Sequence, residues 1–229
     1  MKLGNRMAAI AAMVPAGSRL ADIGTDHAYL PIHLVEAGIV PVAVAGDIHQ
    51  GPFQSALAAV GRAGLEARIA VRLGDGLTVL APGEADTAVI AGMGGAGMIE
   101  ILSARPEVTR SLSRLVLQPM LAAGSVRRWL VVNGWHLVDE ALAEEDGRIY
   151  EIIAAEQGAS GEPEPILLEI GPLLWSRQHP LLKDHLAGLI AQAKRVVGEM
   201  AGSVQAVNSA KYREYQEKIA LLEARYQCL

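Results

Sequence analysis

The sequence predicts an α/β fold on a mostly parallel sheet, ending in an antiparallel strand pair and followed by a helical hairpin. Three observations carry that reading. Short β-branched runs alternate with alanine-rich helical stretches over residues 1–157, the pattern of βαβ crossovers and a buried parallel sheet. Between the last two runs lies Asp146-Gly147, where glycine accepts the positive φ that a hairpin turn requires. Beyond a Gly/Pro-rich stretch, apolar residues recur at spacings of three and four, the seam of packed helices.

Taken in order, residues 1–17 carry Lys2 and Arg6 ahead of a short apolar run. Alanines break up that run and it feeds straight into a strand pattern. It reads as an amphipathic first helix of a cytoplasmic protein, not as a signal peptide. Strands are predicted at residues 19–24, 40–47, 69–73, 87–91, 115–117, 136–141 and 150–155, and helices at 30–38, 52–64, 97–102 and 126–133. Five parallel strands and then an antiparallel hairpin is the order of a Rossmann-like class I methyltransferase sheet; a standard dinucleotide-binding sheet would not end this way. Residues 158–165, GASGEPEP, form a connector, so the expected domains are 1–157 and 158–229. In the second, Leu182, Leu186, Leu189, Ala193, Val196 and Met200 mark one helix and Tyr212, Tyr215, Ile219, Leu222 and Tyr226 another. The break at residues 202–209 between them implies an antiparallel, coiled-coil-like hairpin.

Composition narrows the function. Half of the 229 residues are apolar (51%), yet no apolar run approaches the ~20 residues of a membrane-spanning helix. The single cysteine, Cys228, excludes a disulfide framework and a cysteine zinc site and suits a reducing cytosol. The histidines show no metal-ligand spacing, and no metal is expected. A net charge of −5 excludes an evenly basic nucleic-acid coat protein, but it divides unevenly: −8 over residues 1–170 and +3 over residues 171–229.

Residues with chemical potential cluster after the predicted parallel strands. The first strand runs into Asp22-Ile23-Gly24-Thr25-Asp26-His27-Ala28-Tyr29. A glycine turn before a helix lets backbone amides approach a ligand, or is simply a tight turn. Asp26 would crowd and repel a pyrophosphate, which argues against NAD and favours a cationic or zwitterionic ligand. Asp47 ends the second strand, about 20 residues on, where an acid accepts from ribose hydroxyls; an Asp there also serves as a turn or cap residue. Asp75, in Gly74-Asp75-Gly76, is placed to accept from an adenine amino group. Ligands of open α/β sheets bind at this edge, so the three acids together say more than any one of them. The fourth strand ends in Ala91-Gly92-Met93-Gly94-Gly95-Ala96-Gly97, with little side-chain bulk, and the fifth in Gln118-Pro119. Gln118 either meets substrate or holds a loop.

The runs DIGTDHAYLP, AGD with GPFQSA, RLGDGL, IAGMGG, LQP and EEDGRIYEI, in this order over residues 3–157, resemble the bacterial tRNA (adenine-22-N1)-methyltransferases. The resemblance implies S-adenosyl-L-methionine as cofactor and tRNA as partner. It implies that Gly24 and Thr25 pass along the methionine portion, that Asp47 holds the ribose, and that Asp75 and Gly76 contact the adenine, with Asp22 and Ile48 among the cofactor-binding residues. Ala91, Gly92 and Met93 would border the transferable methyl. Asp26 is implied as the critical acid, with His27 and Tyr29 beside it; Arg6, Gly94, Gly95 and Gln118 would face substrate. Two departures stand out: the start LGNRM keeps only Leu3 and Arg6 of the family's pattern, and Met120 stands where an Asn often follows Gln-Pro.

On that reading adenine N1 attacks with its in-plane lone pair, so catalysis is largely alignment. Asp26 accepts from the N6 amino group or orients the base, His27 is the alternative base, and Tyr29 either stacks on the base or packs. Lys194, Arg195, Lys211 and Arg213 of the basic helical arm are expected to grip the tRNA backbone, in a monomer or a weak dimer through those helices. Other classes remain open on the residues alone: a class I methyltransferase acting on a protein or small molecule, or a catalytically silent cofactor-binding, RNA-associated protein.

Overall fold

The alternating runs form α1 (Asn5–Ala12), β1 (Leu20–Ile23), α2 (Tyr29–Glu36), β2 (Ala43–Asp47), α3 (Gln50–Ala63), β3 (Ile69–Leu73), a 3-10 turn (Gly76–Val79), β4 (Thr87–Met93), α4 (Gly95–Ala104), α5 (Pro106–Thr109), β5 (Arg114–Pro119), α6 (Ala123–Val132), β6 (Trp135–Glu145) and β7 (Arg148–Gln157). The computed structural model describes residues 3–158, 161 and 163–229. Of the predicted connector 158–165, residues 159, 160 and 162 lie outside the described residues. The chain divides into two units, Met1–Glu162 and Pro163–Leu229.

In the first unit the strands lie in the order β3-β2-β1-β4-β5-β7-β6. All pairings among β1–β5 are parallel, and β7 is antiparallel to both β5 and β6. Alternation across the pleat feeds two cores. Leu20, Ala43, Val89, Val116 and Ile152 pack with α1, α2 and α3 on one face. Ala21, Val44, Ile90, Leu117 and Ile153 pack with α4 and α6 on the other. A strand buried on both faces carries near-continuous apolar residues, as β1 and β5 do.

The hairpin strands run further than their sequence pattern predicts, because the polar residues Glu144 and Glu145 continue the pairing up to the Glu145↔Arg148 rung. Between those rungs Asp146 (φ 51°) and Gly147 (φ 71°) are both left-handed, the geometry of a two-residue hairpin turn that matches strand twist.

One core feature gave no sequence signal. Arg127 of α6 donates from Nε to Glu140 Oε1 of β6 (2.5 Å) and from Nη2 to Glu151 Oε2 of β7 (2.7 Å). The Arg127 and Glu140 side chains are fully buried. Burial alone would pull the Arg127 pKa down; attraction to Glu140 and Glu151 outweighs it and holds the guanidinium charged.

The second unit begins with two short helices, α7 (Pro165–Ile170) and α8 (Pro172–Ser176), each with proline in its first turn. Gly171 (φ 108°) separates them. Both are too short for a periodic signal, so the sequence pattern predicts no helix here. α9 (Leu182–Met200), α10 (Val204–Val207) and α11 (Ala210–Tyr226) follow. Leu182, Leu186, Ala193 and Leu222 are buried along the predicted seams. Lys183 stands over the Tyr226 ring and Lys194 pairs with Glu223 at 2.7 Å, so α9 and α11 run antiparallel.

Arg127→Ala should destabilise the protein by ~3–5 kcal/mol, because it strands buried carboxylates. Arg128→Ala, at the exposed neighbouring position, should stay within about 0.5 kcal/mol of wild type. Denaturant titration of both variants checks the contrast; equal losses would refute it.

Candidate active site

The first loop is pinned from the neighbouring strand. Gly24 and Thr25 both donate their N–H groups to the carbonyl of Gly46, at 2.8 and 3.0 Å. One step on, the Asp47 carboxylate accepts from the backbone N–H of Asp26 (3.3 Å) and of His49 (2.9 Å). Gly24 is left-handed (φ 77°), and so, against side-chain preference, are Asp26 (φ 54°) and Ala28 (φ 55°). Such backbone persists only where its surroundings over-determine it, as they do here, and it clusters at functional sites.

This backbone aims the side chains. Asp22 is buried, and its Oδ2 accepts from Thr25 Oγ1 at 2.6 Å. Burial drives the Asp22 pKa up from 3.8 to about 6; the Thr25 hydrogen bond opposes the rise and the nearby Asp47 charge adds to it. Neither Asp22 nor Asp47 has a Lys or Arg partner among the described residues; His49 Nδ1 stands 3.5 Å from Asp47. Asp26 turns outward, its side chain 68% exposed and 3.5 Å from His27 Nε2. His27 and Tyr29 stack, ring centroids 5.1 Å apart at 17°, and Tyr29 is 45% exposed.

The other candidates lie along the same edge. Ile48 is exposed beside Asp47. The exposed Asp75 accepts from Thr78 only through its backbone carbonyl, which leaves the carboxylate outward. Gly76 is left-handed, and a Cβ there would come within 3.0 Å of Ile101. In β4 the ladder slips between Ala91 and Met93, around left-handed Gly92 (φ 78°). The Met93 methyl reaches back to the first loop, 3.2 Å from where a Gly24 Cβ would stand. Gly94 is exposed with open space above it, whereas a Cβ on Gly95 would meet the Leu121 and Ala122 carbonyls at 2.9 Å. Gly95 is thus a close-packing glycine beneath the surface.

Arg6 comes to this edge from α1. Its Nη1 donates to Gln118 Oε1 at 2.8 Å, its backbone N–H to Glu145 Oε2 at 3.1 Å, and its guanidinium lies 5.5 Å from the Tyr150 ring centre. Gln118 is fully buried and its Nε2 donates to the Pro119 carbonyl, so its amide is committed to protein groups at both ends. Glu145, Tyr150 and His49 were not singled out from the sequence. The first two lie inside the EEDGRIYEI run, but only the folded hairpin brings them to Arg6.

Among the described residues no group of His, Cys, Asp and Glu could hold a metal ion, and no helix is long and apolar enough to cross a membrane. A cleft of about 220 Å³ opens at the amino ends of β1–β3, lined by Arg19, Val42 and Arg72 among others. It contains none of the candidate residues. In the second unit, Lys194 pairs with Glu223 and Arg195 with Glu199 (3.8 Å). Lys211 and Arg213 are exposed without a carboxylate partner among the described residues.

Along one edge the structure thus gathers the buried acids Asp22 and Asp47, the exposed acids Asp26 and Asp75, and glycines where bulk would intrude. Residues 3–153 match the family model of a methyltransferase domain. The Streptococcus pneumoniae protein Sp1610, solved in complex with S-adenosyl-L-methionine, shares the fold with a TM-score of 0.87 and 30% identity over 98% of this chain and 100% of that one. The fold is that of a class I, S-adenosyl-L-methionine-dependent methyltransferase. The solved Bacillus subtilis M1A22 tRNA methyltransferase TrmK matches with a TM-score of 0.88 and 35% identity over 98% of this chain and 99% of its own. The curated tRNA (adenine(22)-N(1))-methyltransferase of Bacillus subtilis is 46% identical over 158 residues, 69% of this chain and 66% of the relative, just under two thirds of its length. The chain belongs to the bacterial tRNA (adenine-22-N1)-methyltransferase family.

Asp22 makes stability depend on pH. Its folded pKa is raised, so its contribution is fully present below about pH 3.8 and is lost as pH rises through about 6. Asp22→Asn should therefore raise the thermal midpoint of the ligand-free protein at pH 7.5, by at most ~3 kcal/mol in stability, with the gain vanishing towards pH 4. Melting curves across this range check the sign; a gain independent of pH would refute it.

Proposed function

We propose that this protein transfers a methyl group from S-adenosyl-L-methionine to N1 of adenine 22 in tRNA, in the cytoplasm. The observation that carries the reading is the first loop, where Asp26, His27 and Tyr29 stand outward beside the acids Asp22 and Asp47. That loop belongs to a chain whose Bacillus subtilis relative is named for this reaction.

The cofactor supplies an electrophilic methyl group on a positively charged sulfur. Adenine N1 needs no proton removed before it attacks, since its lone pair lies in the ring plane; the ring then takes up the positive charge. Asp26 accepts from the N6 amino group, orients the N1 edge and stabilises that charge as it develops. The stacked His27 and Tyr29 rings offer a flat apolar face to a base that has left its stack. Gly92 and Gly94 leave room for the base, and Arg6, anchored on Gln118 and Glu145, bounds the site with a cation suited to an adjacent phosphate. Lys211 and Arg213, with Lys194 and Arg195, grip the tRNA backbone, in a protein that acts as a monomer or weak dimer through α9 and α11.

Transfer of labelled methyl to an unmodified tRNA transcript, with the modified position mapped, tests the activity; cofactor binding without any labelling of adenine 22 would end the reading. Asp26→Asn tolerates the same left-handed backbone and should lower the rate by ~10²-fold or more with cofactor affinity unchanged. Asp26→Gly should lose activity equally yet melt at or above the wild-type temperature, because glycine relieves the backbone.

Lys211→Glu with Arg213→Glu should weaken tRNA binding about tenfold and flatten its salt dependence, leaving cofactor affinity untouched. Binding titrations at several salt concentrations check this, and a parallel loss of cofactor binding would instead indicate damage to the fold.

A further inference from the structure

Leu121 is 62% and Met120 41% exposed, two large apolar side chains side by side at the carboxyl edge that holds the candidate site. Their backbone is fixed. The Met120 N–H donates to the Met93 carbonyl at 2.9 Å, and the Leu121 carbonyl accepts from the Gly95 N–H at 3.0 Å. Ala122 next to them is left-handed (φ 60°) and caps α6, and Gly95 has hydrogen where any side chain would strike the Leu121 and Ala122 carbonyls. The segment is a rigid projection, not a loose loop.

Its position ties it to the reaction. Met93, which holds Met120 through its carbonyl, brings its methyl group to 3.2 Å from where a Gly24 Cβ would stand. Gln118, which anchors Arg6, points its Nε2 to the Met120 sulfur at 3.7 Å. The exposed, unobstructed Gly94 lies alongside. An apolar point held beside an adenine-accepting space meets a specific need, because a base turned out of an RNA stack leaves a gap between its neighbours. Apolar side chains fill such gaps in nucleic acids.

We propose that Leu121, backed by Met120, is a positioning residue: a wedge that enters the RNA stack in place of the target adenosine and holds that nucleotide out. The proposal rests on the tRNA reading above. The wedge touches neither the methyl group nor N1, so it acts on the population of turned-out adenine and not on cofactor binding.

The test uses the full chain and a tRNA transcript with 2-aminopurine at a position next to adenine 22, whose fluorescence rises when adenine 22 leaves the stack, alongside methylation of the ordinary transcript. With wild-type protein the fluorescence should rise on binding. With Leu121→Ala the rise should be largely lost and the methylation rate should fall by at least ~tenfold, while cofactor and tRNA affinities stay within about threefold. Leu121→Met should restore most of both signals and Leu121→Ser neither. If wild type methylates tRNA and Leu121→Ala matches it in rate and fluorescence, the wedge is wrong and the tRNA reading stands. If wild type methylates no tRNA, both fall. A change in oligomeric state in Leu121→Ala, with unstacking intact, would make the patch a contact between copies and likewise overturn the wedge.

Discussion

Everything at the candidate site hangs on the end of β2. The Gly46 carbonyl takes two consecutive N–H groups of the first loop and the Asp47 carboxylate takes a third, so the loop is tied to its neighbour in the sheet as well as to its own helix through the Ala28 carbonyl and Ile32 N–H. Backbone donors satisfied in this way cannot drift towards solvent, and the left-handed residues Asp26 and Ala28 stay in place despite their cost. Asp47 thus has two structural duties before any ligand arrives, and a ribose would have to share a carboxylate that is already organising the loop.

The same economy runs along the edge. Met93 links β4 to the first loop with its methyl group and to the end of β5 with its carbonyl. Arg6 links α1 to β5 and to the β6–β7 hairpin. Each of these loops is therefore braced against a rigid strand, which is what the proposed alignment of a base edge with a reacting bond requires. Asp22 and Asp47 have no Lys or Arg partner among the described residues, and Arg6 is paired with Glu145, so the edge keeps a negative character that suits a cationic ligand.

How much of this was legible in the sequence follows from distance along the chain. The parallel order, the Asp146-Gly147 turn and the helical seams are local patterns, and they were read from spacing. The acids at residues 22, 47 and 75 were legible as one edge because each lies at or just past the end of a strand: Asp22 inside β1, Asp47 closing β2 and Asp75 just after β3. The positive φ of Asp26 and Ala28 was not legible, since neither residue type demands it. Nor was the triad of Arg127, Glu140 and Glu151, because Arg127 sits next to Arg128 in a pattern that reads as helix surface. Arg6 and Glu145 meet across 139 positions of sequence, and no periodicity spans that. The basic arm read from net charge is partly self-neutralised, since Lys194 pairs with Glu223 on α11 and Arg195 with Glu199 one turn along α9.

The two-residue turn at Asp146-Gly147 takes no part in the chemistry, yet it fixes the frame in which two distant charges are read. It sets the rungs that oppose Glu140 to Ile153 and Glu145 to Arg148. A turn one residue longer or shorter favours a slipped register, and a slip by one exchanges the faces of every side chain on the strand. Glu140 would leave Arg127 and Glu145 would leave Arg6 in the same event. Length variation at this outlying loop is therefore coupled to both the Arg127 triad and the arginine at the edge of the sheet, and tolerated insertions here should come in sizes that preserve the frame.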